Sequence, residues 1–132
     1  MGNPDFHSMS AQEFILWEAE QDERYELIDG EVLAMTVGTY AHDRTRTNLA
    51  AALLAHLRGT SCKVMGPEMK LRVDADTPGF YPDLFVACRQ IDPNLSELNE
   101  AKVIVEVLSP STEKKDRGSK WIEYQKLAML QE

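Results

Sequence analysis

Lys102-Val103-Ile104-Val105-Glu106-Val107-Leu108 is the most apolar run in this chain. It has no helical period and is rich in β-branched residues, so it predicts a strand buried on both faces. Glu106 does not fit that setting. A carboxylate left unpaired there costs about 3–5 kcal/mol. A metal ion, a basic partner, hydrogen-bond donors or water at the strand end must therefore satisfy it. Asp83 poses the same problem in Tyr81-Pro82-Asp83-Leu84-Phe85-Val86, at a position where a strand expects an apolar residue. Two strands with one anomalous acid each predict that the acids meet. Adjacent carboxylates repel, so their proton affinity rises or a cation lies between them. Hard oxygen donors of this kind select Mg²⁺ or Mn²⁺. Such an ion stabilises phosphate charge and activates water.

Downstream, Ser109-Pro110-Ser111-Thr112 reads as a turn and helix start, with a helix over 112–130. Asp116, Lys120 and Tyr124 are spaced by four and share one face of that helix. Its first turns can lie over the end of the Glu106 strand. Two readings stay open. Lys120 reaches back to supply positive charge to a phosphate or a nucleophilic water, or Asp116 and Lys120 form a surface pair worth about 0.3–0.5 kcal/mol.

Upstream, Ser10 with Glu13 forms a capping-box signature for a helix over 11–20 that faces Phe14 and Trp17 inward. Residues 25–35 contain Asp29-Gly30 between two apolar-rich runs, which predicts a tight hairpin. A helix is expected over 42–58, with Leu49, Ala50, Leu53, Leu54 and Leu57 as its apolar stripe and Gly59 as its stop. Arg44 lies off that stripe and Arg46 near its edge. His42, at the helix start, either serves a metal-bound water or phosphate or is a surface capping residue. Residues 63–73 alternate imperfectly around Gly66-Pro67 and predict a bent strand or two short ones. Residues 89–101 read as a polar loop with one helical turn near Leu95 to Leu98. Helix, hairpin, helix, strands, helix is an α+β order: a curved mixed sheet flanked by helices, in one domain over 1–132 with a loose terminus over 1–9.

Composition narrows the classes. The chain has 132 residues, 43% hydrophobic and 27% charged, which excludes a disordered chain, a collagen-like repeat and a disulfide scaffold. A net charge of −8 argues against binding nucleic acid by bulk attraction. The charge is uneven, however. Residues 1–31 carry nine acids and one base, whereas residues 32–72 carry two acids and six bases. Cys62 and Cys88 form no C-x-x-C pair, and the polar first ten residues are not a secretory signal. Both are expected as reduced, buried cysteines of a cytoplasmic protein. No apolar run is long enough for a membrane span, and no zinc, Walker or G-x-S-x-G pattern occurs.

Tyr25-Glu26-Leu27-Ile28-Asp29-Gly30-Glu31, His42 at a helix start, Tyr81-Pro82-Asp83, and residues 106–112 followed by Asp116, Lys120 and Tyr124 together resemble the Uma-type restriction endonuclease family of the PD-(D/E)XK nuclease superfamily. The likeness runs over residues 14–127. It implies a restriction-endonuclease-like core that binds Mg²⁺ or Mn²⁺ and hydrolyses DNA phosphodiester bonds. Asp83 matches the aspartate of the PD element and Glu106 the acid of the (D/E)-x-K element. The superfamily's lysine falls on Leu108, and in this family it looks to have moved to Lys120. Glu31 resembles an additional metal-site acid. His42, Asp116 and Tyr124 are supporting positions, while Arg44 and Arg46 are expected to contact DNA phosphates. Family members continue with further strand-forming sequence, so a C-terminally truncated member and a homodimer formed over an open edge are expected. Leu108 also motivates an alternative: a catalytically inactive nuclease-fold module for binding or dimerisation. A hydrolase of small phosphoesters is a third reading.

Overall fold

A computed structural model describes residues 9–35 and 38–108 together with Lys120. Expectations for residues 1–8 and for the helix over 112–130, including Asp116 and Tyr124, lie outside the described residues.

Helix α1 spans Ala11–Glu18, with the Ser10 side chain accepting from the Glu13 amide and the Glu13 side chain accepting from the Ser10 amide. That backbone bond from Ser10 is the main reason the Glu13 carboxyl stays below its usual range. Phe14, 1% exposed, anchors the inner face of α1. The hairpin β1 (Tyr25–Ile28) and β2 (Glu31–Ala34) pairs antiparallel, with Ile28 opposite Glu31. Asp29 and Gly30 have φ of 53° and 81°. Both central residues of the turn are left-handed, and aspartate and glycine tolerate that conformation best.

Helix α2 spans Tyr40–His56, and the Thr39 hydroxyl accepts from the His42 amide at 3.2 Å. The expected apolar stripe of α2 is not buried. None of its residues is fully covered, and Leu49 and Leu54 are exposed. His42, Arg46, Ala50 and Leu53 are partly covered, so a mixed polar and apolar face turns inward.

Strands β3 (Cys62–Met65), β5 (Leu84–Cys88) and β7 (Val103–Val105) form one antiparallel sheet in the order β3-β5-β7. Strands β4 (Lys70–Leu71) and β6 (Glu97–Leu98) pair in parallel. The break at Gly66-Pro67 thus yields two pieces, β3 and β4. The helical turn expected near Leu95 to Leu98 is instead strand β6, because the Arg72 amide and the Leu98 carbonyl bond across it at 2.9 Å.

The doubly buried strand is β5, not the run at 102–108. Leu84, Phe85, Val86 and Ala87 are all buried, so both faces of this central strand are covered. Strand β7 pairs with β5 alone among the described strands. Its three residues are half-covered, and Glu106 lies just past its end. Ile28, Leu71, Phe80, Phe85, Ala87, Leu98 and Ala101 form the core. A second correction concerns the cysteines. Cys62 and Cys88 are direct partners in the β3–β5 register and are joined by a disulfide, with a Cα–Cα distance of 3.8 Å. Their in-register pairing brings the sulfurs together, and sequence spacing alone did not show it. No described helix is long and apolar enough to cross a membrane. The architecture is α+β with a restriction-endonuclease-like core.

Candidate active site

The antiparallel pairing of β5 with β7 puts the residue before one strand beside the residue after the other. Leu84 opposes Val105, so Asp83 and Glu106 are brought together by register alone. Each is held by the other's backbone: the Asp83 amide donates to Glu106 Oε1 at 3.2 Å, and the Val107 amide donates to Asp83 Oδ2 at 2.8 Å. Both side chains keep 14% exposure, enough to be reached from solvent.

Lys120 completes the cluster from the far end of the sequence. It is helical and 3% exposed. Its Nζ lies 2.7 Å from Glu106 Oε2 and 3.2 Å from Glu26 Oε2. Of the two readings of Lys120, the reach back to the strand end is the one observed. Glu26 is 6% exposed and also accepts from the Tyr81 amide at 2.9 Å.

On the other side of Asp83, Oδ1 faces His42 Nε2 at 3.4 Å and Arg46 Nη1 at 3.5 Å. The two are one helical turn apart, at i and i+4 on the inward face of α2. Arg46 is also paired with Asp43 at 2.5 Å. Arg44 points elsewhere and donates to the Tyr40 hydroxyl at 2.9 Å.

Of the expected residues, Asp83, Glu106, Lys120, His42 and Arg46 therefore converge. Glu31 shares the face of Glu26 but sits two rungs nearer the hairpin turn and is exposed. The acid that meets Lys120 from the hairpin is Glu26. A usable signal was present, because Glu26 is in phase with Ile28 on the buried face of β1, the same anomaly that marks Asp83 and Glu106.

Three carboxylates (Asp83, Glu106, Glu26) here meet two permanent cations (Lys120, Arg46). Their oxygen donors and net negative charge suit a hard divalent cation. As the side chains stand, no group of three acids, histidines or cysteines among the described residues converges closely enough to enclose a metal ion. The Lys120 ammonium lies between Glu26 and Glu106 instead.

Comparison with known proteins gives the family and the fold. Residues 11–132 match the model of the Uma2 family, described as "Putative restriction endonuclease". Two uncharacterized proteins of Synechocystis are similar. One is 33% identical over 96% of this chain and 67% of its own length, and the other is 26% identical over 94% and 72%. A crystal structure from Anabaena variabilis, described as a putative nuclease belonging to DUF820, superposes with a TM-score of 0.59 at 16% identity. The match covers 78% of this chain and 60% of that one, and at such identity it speaks for the fold.

Proposed function

Because this chain belongs to the Uma2 family, we propose that it is a Mg²⁺- or Mn²⁺-dependent endonuclease that hydrolyses DNA phosphodiester bonds at the Asp83–Glu106–Lys120 cluster. The observation that carries this reading is the convergence of Lys120 Nζ on Glu106 Oε2 at 2.7 Å while the other oxygen of Glu106 accepts from the Asp83 amide. That arrangement supplies the acid, acid and lysine of a PD-(D/E)XK site although Leu108 stands where the usual lysine would fall.

Asp83 and Glu106 would hold the metal, with Glu26 meeting the Lys120 ammonium beside them. When bound, a divalent ion neutralises phosphoryl charge and makes water more acidic. Lys120 donates hydrogen bonds to the attacking water or to a non-bridging phosphoryl oxygen, steadying the charge that develops there. Glu26 orients the ammonium from the far side. His42 and Arg46 hold Asp83 Oδ1 and fix the carboxylate plane. Arg44, exposed at the start of α2, would exchange its bond to the Tyr40 hydroxyl for a neighbouring phosphate. A cytoplasmic location and a homodimer belong to the same proposal, and sedimentation analysis measures the latter.

Plasmid nicking in Mn²⁺ tests the proposal. Wild-type protein should cleave, and Asp83→Ala and Glu106→Ala should abolish cleavage. Equal cleavage by wild type and Asp83→Ala protein would sink it. Activity on a chromogenic phosphodiester but not on DNA would reassign the substrate. One observation favours a non-catalytic module: Lys120 already neutralises the two acids nearest it. That reading predicts no Mn²⁺ binding by calorimetry.

A further inference from the structure

A second buried ionic cluster lies on the far side of Tyr81. Glu18, at the end of α1, is 7% exposed. Its Oε2 accepts from the Tyr81 hydroxyl at 2.8 Å and from the Tyr25 amide at 3.1 Å, and its Oε1 accepts from Lys70 Nζ at 2.7 Å. Lys70 Nζ and the Arg24 guanidinium each lie 5.6 Å from the Tyr81 ring centroid. A Cβ at Gly79 would come within 2.5 Å of the Lys70 stem, so glycine there leaves room for Lys70 to reach Glu18.

Burying a Glu–Lys–Tyr network stabilises a fold no better than apolar side chains of similar volume would. What it supplies is a fixed position. Tyr81 is gripped twice, with its hydroxyl on Glu18 and its amide donating to Glu26 Oε2 at 2.9 Å. Pro82 follows with its side chain fully buried and its φ set by the ring. Asp83 comes next, its amide on Glu106. The tripeptide 81–83 thus links the Glu18 cluster to the three carboxylates of the proposed active site.

We infer that Tyr81 is a positioning residue for the Asp83–Glu106–Glu26 carboxylates, with Glu18 and Lys70 as its anchor. Its hydroxyl holds the ring, the ring holds the 81–83 backbone, and that backbone sets where Glu26 and Asp83 sit. The inference rests on the proposed nuclease site for its metal-binding consequence, while its structural consequence is separately measurable.

The test uses Tyr81→Phe, which removes one oxygen and keeps the ring and the amide. Hydrogen exchange should quicken about tenfold, the equivalent of one hydrogen bond, at the amides of residues 81, 83 and 107. The amides of Phe85 and Val86 should stay at wild-type rates. The Mn²⁺ dissociation constant by calorimetry should rise about tenfold, as expected when a supporting hydrogen bond is removed from behind a ligand. Glu18→Gln retains an acceptor for the hydroxyl and should fall between wild type and Tyr81→Phe. Leu98→Ala, a core truncation that removes none of these side-chain hydrogen bonds, should lower the melting temperature without the local exchange pattern or the metal effect. Unchanged exchange at 81, 83 and 107, or acceleration as uniform as in Leu98→Ala, overturns the inference. A wild-type chain that binds no Mn²⁺ while the local exchange pattern holds overturns the metal reading and leaves Tyr81's role standing.

Discussion

Replacing Lys120 with methionine keeps most of the stem and deletes only the ammonium between Glu26 and Glu106. The two contacts, 2.7 and 3.2 Å, bring it within direct reach of both carboxylates. At an effective dielectric of about 20, each would attract by about 5–6 kcal/mol. Desolvation of three charged groups offsets most of that, and breaking such a buried arrangement from one side costs about 3–5 kcal/mol. Because Glu106 retains 14% exposure and can recruit water, the low end, about 3 kcal/mol, is expected at pH 7.5. The cost should shrink on acidification. In the variant the two acids lose the ammonium between them, so the folded variant takes up protons more readily than folded wild type does. The stability deficit then narrows as pH falls through the carboxylate range. Urea unfolding followed by tryptophan fluorescence at pH 7.5 and pH 4.5 measures both values, and Mn²⁺ should restore part of the loss at pH 7.5 by taking the ammonium's place. A Lys120→Met protein as stable as wild type at pH 7.5 would refute the reasoning, because the ammonium would not then be compensating buried charge.

Other outcomes follow from the same geometry. Glu26→Gln should lower plasmid cleavage by about 10²-fold or more, the scale of losing one charge-stabilising contact. Glu31→Gln should remain within a factor of a few of wild type, and a cleavage time course separates the two. Reduction of the Cys62–Cys88 disulfide should lower unfolding free energy by about 3–4 kcal/mol, the chain-entropy value for a loop of this length, read as a shift in the urea midpoint with and without dithiothreitol. Burial, followed by the hydrogen bond to Glu18, raises the Tyr81 phenol above its usual range. Its folded-state stabilisation is therefore complete below the ordinary phenol value of about 10 and is lost as pH climbs beyond it. Alkaline unfolding above that point should be shallower in Tyr81→Phe than in wild type.

The sequence exposed the site more readily than the layers around it. Asp83 and Glu106 stand out because each interrupts an apolar strand, and β-pairing turns those interruptions into neighbours. Lys120 was legible as one stripe of a helix, but spacing alone favoured a surface pair with Asp116 slightly. Glu26 and Glu31 flank the same turn on the same face of the hairpin, and only distance from the turn separates the inward acid from the exposed one. Glu18 and Lys70 carried no signal and Tyr81 entered only through the Tyr81-Pro82-Asp83 motif, because 52 and 63 residues separate the partners that meet. The same holds for the cysteines, whose union depends on strand register. The apolar stripe of α2 was misleading for a different reason. Leucines at helical spacing indicate which side could be buried, whereas exposure depends on what the rest of the fold brings to cover it.

Helix α2 has a consequence for how the site is studied. It has no fully buried residue, and its first turns are tied to the sheet by His42 and Arg46 on Asp83 Oδ1. A helix held partly by charge behaves as a tethered arm whose mooring is the very carboxylate usually deleted to make a dead enzyme. Neutralising Asp83 would therefore loosen the start of α2 as well as remove a ligand. Glu106→Gln leaves the mooring intact and gives the cleaner inactive form for trapping a bound nucleic acid.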